Sequence, residues 1–164
     1  MVKDKAYWKK YITGSIISIL IAEAVGVLSA LFTQDTMQQY KQLIQPPFSP
    51  PGWVFPIVWS ILFLLMGLAS YRVYNEGIER KDVKNALVFY AIQLILNLCW
   101  TIIFFRFQMR GFAFVWLLIL LTFIIITTIK FYKIDKVSAY LMIPYILWVA
   151  FAGVLNFSIW QLNK

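Results

Sequence analysis

Five apolar runs set the terms for what this chain can fold into: roughly residues 11–32, 53–74, 85–105, 111–129 and 137–160. Each is long enough to cross a hydrocarbon core of about 30 Å. Backbone N–H and C=O groups inside lipid must be paired within their own segment, and a run of that length does so as an α-helix. With 62% hydrophobic and 13% charged residues, against roughly a quarter charged in soluble domains, the chain could not cover a water-facing surface. The expected fold is an all-α membrane protein, a bundle of five transmembrane helices forming one domain over residues 1–164. The loops are short and no internal repeat emerges. The first run follows Lys9 and Lys10 and ends on Leu28-Ser29-Ala30, as a secretory signal would. Its length of about 20 residues exceeds the usual signal core of roughly 7–15, so it is expected to remain as a helix.

Charge orients the bundle. Lys3, Lys5, Lys9, Lys10, Arg72, Arg80, Lys81, Lys84, Lys130, Lys133 and Lys136 fall on one side, eleven cations in all. Lys41, Arg106, Arg110 and Lys164 fall on the other. Cations accumulate on the cytoplasmic side, which puts the N-terminus inside and residues 33–52 outside. The net charge of +8 therefore serves topology. The lipid bilayer is the expected partner, and no nucleic acid is. The chain has no histidine, which excludes His-based metal sites, Ser-His triads and the commonest axial haem ligand. No metal site is expected. The lone Cys99 sits in an apolar run and reads as packing.

The third feature is a stiff segment. Residues 46–59, PPFSPPGWVFPIVW, hold five prolines, one glycine and two tryptophans. Proline pairs cannot sit inside a helix, whereas proline in a first turn is tolerated because its missing N–H has no partner there. The segment is expected to be a stiff loop that starts a helix near Pro51, with aromatic rings fixed at its rim. It serves either as a lid or as a plain connector.

Tryptophans and amides suggest what lies beneath. At about 1.5 Å per residue, Trp59, Trp100 and Trp116 share a level roughly 8–9 Å below the outer helix ends, and Trp148 lies deeper. An interfacial aromatic belt accounts for Trp8, Tyr7, Tyr71, Tyr74, Tyr132 and Trp160. For Trp59, Trp100 and Trp148 the pattern leaves belt and interior open. Asn97, Trp100 and Phe104 share one face of the third helix, and Tyr145, Trp148, Ala152 and Asn156 share one face of the fifth. An amide turned to lipid is expensive, so both stripes should face inward. There they serve to hold helices together or to line a ligand pocket. Glu23 is the one acid near the middle of a span, beside the small residues Ala22, Gly26 and Ala30. It reads as a hydrogen-bonded carboxyl in a helix interface or as a functional group. With no second buried charge and no repeat, an ion-coupled transporter is disfavoured.

Three runs together, residues 46–59, 96–105 (LNLCWTIIFF) and 144–156 (PYILWVAFAGVLN), resemble the TspO/MBR family. This family comprises bacterial tryptophan-rich sensory proteins and the mitochondrial translocator protein, or peripheral-type benzodiazepine receptor. The resemblance spans about residues 14–163 and all five helices in order. It implies a five-helix homodimer that binds porphyrins such as protoporphyrin IX and haem, and in some members sterols and benzodiazepine-type ligands. The family pocket lies between the helices beneath the first loop. Residue by residue, the resemblance points to Tyr40, Pro47, Phe48, Trp53, Asn97, Trp100, Tyr145, Trp148 and Ala152 as pocket or lid residues.

Some positions depart from the family pattern. Phe48 stands where the family usually has tryptophan, and Trp116 where many members carry an acid. The sterol pattern near the C-terminus reads Leu155, Asn156, Phe157 with no cation before Lys164, so sterol binding is not carried over. A macrocycle gains from stacking on Trp and Tyr faces, and its carboxylates suit a rim bearing Lys41, Arg106 or Arg110. No cofactor is required, and porphyrin or haem enters as ligand. The resemblance implies a tetrapyrrole-binding protein that acts as sensor, regulator or conduit in the cell membrane. The alternative implied by the family is light- and oxygen-dependent porphyrin breakdown, and a small-molecule transporter is the weaker third. No acid–base pair or nucleophile set is present for conventional catalysis.

Overall fold

The computed structural model describes residues 5–164, without the side chains of Asp35, Met37 and Gln39. Lys3, counted above with the inner cations, lies outside the described residues. Helices α1 (Lys5–Thr33), α2 (Met37–Lys41), α3 (Val54–Asn75), α4 (Lys81–Thr101), α5 (Arg110–Ile134) and α6 (Lys136–Leu162) follow in order, with no strand among the described residues. All but the short α2 are long and apolar enough to cross a membrane, as expected of a multi-pass membrane protein. Their ends extend past the apolar runs: α1 begins at Lys5 rather than near residue 11, and α4 at Lys81 rather than 85. Hydropathy marks the stretch in lipid, whereas a helix continues into its polar flanks wherever nothing stops it.

The helices close a ring in the order α1–α3–α6–α5–α4, with α4 returning to α1. The α1–α3 seam is set by small residues. A Cβ on Gly67 would lie 2.5 Å from the Cα of Ile19, and one on Gly26 would lie 2.8 Å from the ring of Phe63. Ala22 is fully buried in the same seam, and the Ser18 and Ser70 hydroxyls bond across it at 2.7 Å. Within lipid, such close approach and interhelical hydrogen bonds replace the hydrophobic drive that water would supply. Gly67→Val is therefore expected to cost about 2 kcal/mol or more, seen as a lower unfolding temperature in detergent, because a backbone cannot yield as a side-chain tip can.

At the opposite end from the proline loop, Asp135 alone separates α5 from α6. Its carboxylate caps α6 by accepting from Ser138 N at 3.0 Å and from the Ser138 hydroxyl. It also takes a two-pronged contact from Arg72 of α3, at 2.8 Å from Nε and 3.2 Å from Nη2. The Arg72 guanidinium and the Ser138 donors hold its pKa down from 3.8 to about 2. A carboxyl depressed in the fold stabilises fully above its ordinary value, and that contribution is lost as pH falls through the folded value. The stabilisation should thus be flat above about pH 4 and fade toward pH 2. Asp135→Ala should lower stability at neutral pH by about 2 kcal/mol, from a lost cap and a partly exposed ion pair. The deficit should shrink in melts run toward pH 2.

Helix α3 starts at Val54, three residues past Pro51 and one past the start of the apolar run at 53, and the proline in its first turn is Pro56. Ahead of it, residues 42–53 form a loop tied at both sides. Ser49 N donates to Pro46 O at 3.0 Å and Val54 N to Pro51 O at 2.9 Å. The Asn163 amide, just past α6, pairs with the backbone of Ile44 in both directions, each bond 2.9 Å. A backbone-like pairing of this kind fixes the loop against the end of the last helix.

Candidate functional site

Beneath that loop lies a cavity of about 490 Å³ lined by α1, α3, α4 and α6 and reached from above by Tyr40 of α2. The volume falls within the range of about 300–1,000 Å³ usual for small-molecule sites. Aromatic faces dominate its walls. Phe63, Trp59, Trp100 and Phe104 form a ladder with centroid spacings of 5.7, 6.4 and 5.7 Å and interplanar angles of 30°, 35° and 29°. Facing it from α6 is Trp148, edge-on to Phe55 at 6.0 Å.

One wall depends on a local change of helix type. After Thr101 the chain runs through a wider turn, Ile102–Arg106. Phe107 N donates to Ile102 O at 3.0 Å, five residues back. The extra residue brings consecutive side chains nearer one face, and both Phe104 and Phe105 line the cavity. Wide turns of this kind are frequent at functional sites.

Buried amides hold the walls in place. Asn97 Nδ2 donates to Tyr145 Oη at 2.9 Å, and that hydroxyl donates to Gln93 Oε1 at 2.8 Å. Trp100 Nε1 donates to Asn156 Oδ1 at 3.2 Å, while Asn156 Nδ2 donates to the carbonyl of Arg110 at 2.8 Å. Both stripes face inward, and the amides do what polar groups in lipid must do. Of the three buried side-chain polar atoms with no hydrogen-bond partner among the described residues, Tyr90 Oη, Arg110 Nε and Trp148 Nε1, only the last belongs to the cavity wall. An N–H without an acceptor costs free energy in an apolar interior, and here it belongs to a ring in the cavity wall.

Of the nine residues singled out from sequence, Tyr40, Asn97, Trp100, Trp148 and Ala152 line the cavity. Tyr145 is fully buried behind Asn97. Pro47, Phe48 and Trp53 do not line it. Pro47 is exposed, Phe48 is exposed and meets the half-buried Phe151 edge-on at 6.4 Å, and Trp53 is 67% exposed just before α3. Trp116, on the shared level, packs half-buried against the core without lining the cavity, and donates to Leu96 O at 2.9 Å. Glu23 lines the cavity, which moves it from a helix interface to a site wall. Phe63 and Phe105 were not signalled by any stripe. Among the rim cations, Arg110 borders a small adjoining cleft with Tyr40 and Phe105, while Lys41 and Arg106 are exposed. Burial raises the pKa of Tyr40, so its hydroxyl stays a neutral hydrogen-bonding group.

Comparison with known proteins agrees with this architecture. The TspO/MBR family model matches residues 18–161. The tryptophan-rich protein TspO of Chlorobaculum tepidum is 40% identical over 141 residues, covering 85% of this chain and 89% of that protein. The translocator protein of Bos taurus is 35% identical over 147 residues, covering 88% and 87%. The tryptophan-rich sensory protein of Cereibacter sphaeroides is 36% identical over 140 residues, covering 85% of each. With five membrane-length helices closed into a ring and this extent of similarity, the chain belongs to the TspO/MBR family.

Proposed function

We propose that the protein binds tetrapyrroles, protoporphyrin IX and haem, and acts on that binding as a sensor, regulator or conduit. We place it in the cell membrane as a homodimer, with its N-terminus inside. The observation that supports this most is the cavity of about 490 Å³, whose wall carries a ladder of aromatic rings for a flat macrocycle to pack on while the Trp148 N–H lacks an acceptor. Each ring pair adds about 0.5–1.5 kcal/mol beyond burial. The macrocycle's carboxylates belong at the loop end, where Arg110 borders the neighbouring cleft. Because the chain has no histidine, free-base porphyrin should bind at least as readily as haem.

Adding protoporphyrin IX to purified protein in the dark should quench tryptophan emission, since Trp59, Trp100 and Trp148 all border the site. Saturable quenching supports the proposal, and none at all would sink it. A second reading, light-dependent breakdown of bound porphyrin in the presence of oxygen, is favoured by the close Trp59–Trp100 pair, 6.4 Å apart. In that case the photoexcited ligand supplies the chemistry. Loss of porphyrin absorbance under light, abolished in Trp148→Phe, distinguishes it from binding alone.

A further inference from the structure

The cavity has an electrostatic character that a dianionic ligand does not use. Among the described residues Glu23 is the only charged one in its lining, and no Lys or Arg borders it. Glu23 makes no hydrogen bond or ion pair among the described residues, although it lies in the middle of α1. Counting back from Thr33, its carboxyl sits about 15 Å below the loop end of that helix. The rest of the cavity wall is largely aromatic, with Phe63 and Trp59 on α3 and Trp148 on α6. A box of rings with a single carboxylate and no competing base is the environment that binds ammonium groups, by ring quadrupoles and by counter-charge together. Anionic groups would be repelled from the same floor.

Access fits the same ligand class. Below, α1 and α3 are locked where Gly67 meets Ile19. Above, the lining residues Val27 and Ala30 of α1, Gln34 just past it, and Pro56 and Ser60 of α3 are all exposed. The cavity therefore opens sideways between these two helices, toward the bilayer. A molecule that partitions into lipid with a charged end can enter there.

We propose that this cavity takes amphiphilic cations, a quaternary or tertiary ammonium on an apolar body, with the Glu23 carboxylate as their counter-charge. This rests on the cavity being a ligand site, not on the ligand being a tetrapyrrole. The depth of Glu23 assigns the ammonium to a free amphiphile rather than to a choline lipid headgroup, which stays at the interface.

The test uses the full chain in maltoside micelles, titrated calorimetrically against empty micelles. The probes are benzyltrimethylammonium and its uncharged isostere neopentylbenzene, compared at equal free concentration. The cation should bind at least about tenfold tighter in the native protein. Glu23→Gln should remove that preference by weakening the cation, while neopentylbenzene, which has no charge to pair, should bind as in the native protein. Equal binding of the two probes by the native protein, or a Glu23→Gln variant that keeps the preference, overturns the inference while protoporphyrin quenching still reports on the tetrapyrrole site. Displacement of the cation by added dioleoylphosphatidylcholine would assign the site to a lipid headgroup and overturn the free-amphiphile assignment.

Discussion

Ala152→Phe is expected to weaken protoporphyrin binding by at least about 100-fold, or about 2.7 kcal/mol, read from tryptophan quenching. Ala152 lies in the cavity wall on α6, one turn from Trp148 and one from Asn156, where its methyl group leaves room for a ligand. A phenyl ring there would enter the space a rigid macrocycle needs, and a planar ligand cannot fold around it. The fold itself should not suffer, because the ring fills existing space and adds dispersion contacts. The unfolding temperature should stay level or rise. Val154→Phe is the control: that side chain is 58% exposed on the outer face of α6, so the same ring should leave quenching intact. Unchanged affinity in Ala152→Phe would place the porphyrin elsewhere.

Much of the architecture was legible because lipid imposes so strict a rule. A spanning segment must pair its own backbone, so five long apolar runs translate directly into five helices. What those runs could not show is which side faces in. Lipid and protein interior are equally apolar, so a helix such as α5 carries hydrophobic side chains all round and no stripe marks its buried face. The short α2 and the Asn163–Ile44 pairing were invisible for another reason. The amide and its partner are 119 residues apart, and nothing local in either segment signals the bond.

The site was legible where polarity forced the answer. Asn97 and Asn156 had to turn inward, and they carried Trp100, Trp148 and Ala152 with them. The loop residues were harder, since proline fixes stiffness and not direction. Phe48 and Trp53 do not line the cavity, whereas Tyr40, also named from the sequence, does. Phe105 escaped because a helical face drawn at 3.6 residues per turn leaves it off, and the wide turn at residues 102–106 restores it. Glu23 had two open readings in the sequence. Its place in the wall depends on α1 parting from α3 above Gly26, a tertiary feature.

Asn156→Leu should be the most destabilising of the isosteric changes at the site, costing about 2–4 kcal/mol. The side chain is 2% exposed and bridges two elements, accepting from Trp100 on α4 and donating to the first residue of α5. Leucine matches its size but offers no acceptor. The Trp100 indole N–H would then be left unpaired in an apolar interior, and α5 would lose its tie to α6. Asn97→Leu provides the contrast. Its partner Tyr145 Oη keeps a bond to Gln93 Oε1 at 2.8 Å, so no donor is orphaned and the cost should be about 1 kcal/mol. Thermal unfolding in detergent gives both values. In a Trp100→Phe background the Asn156→Leu cost should fall by about 1–2 kcal/mol, because the donor it would have orphaned is already gone. An undiminished cost would move the role of Asn156 from the Trp100 ring to the α5 terminus.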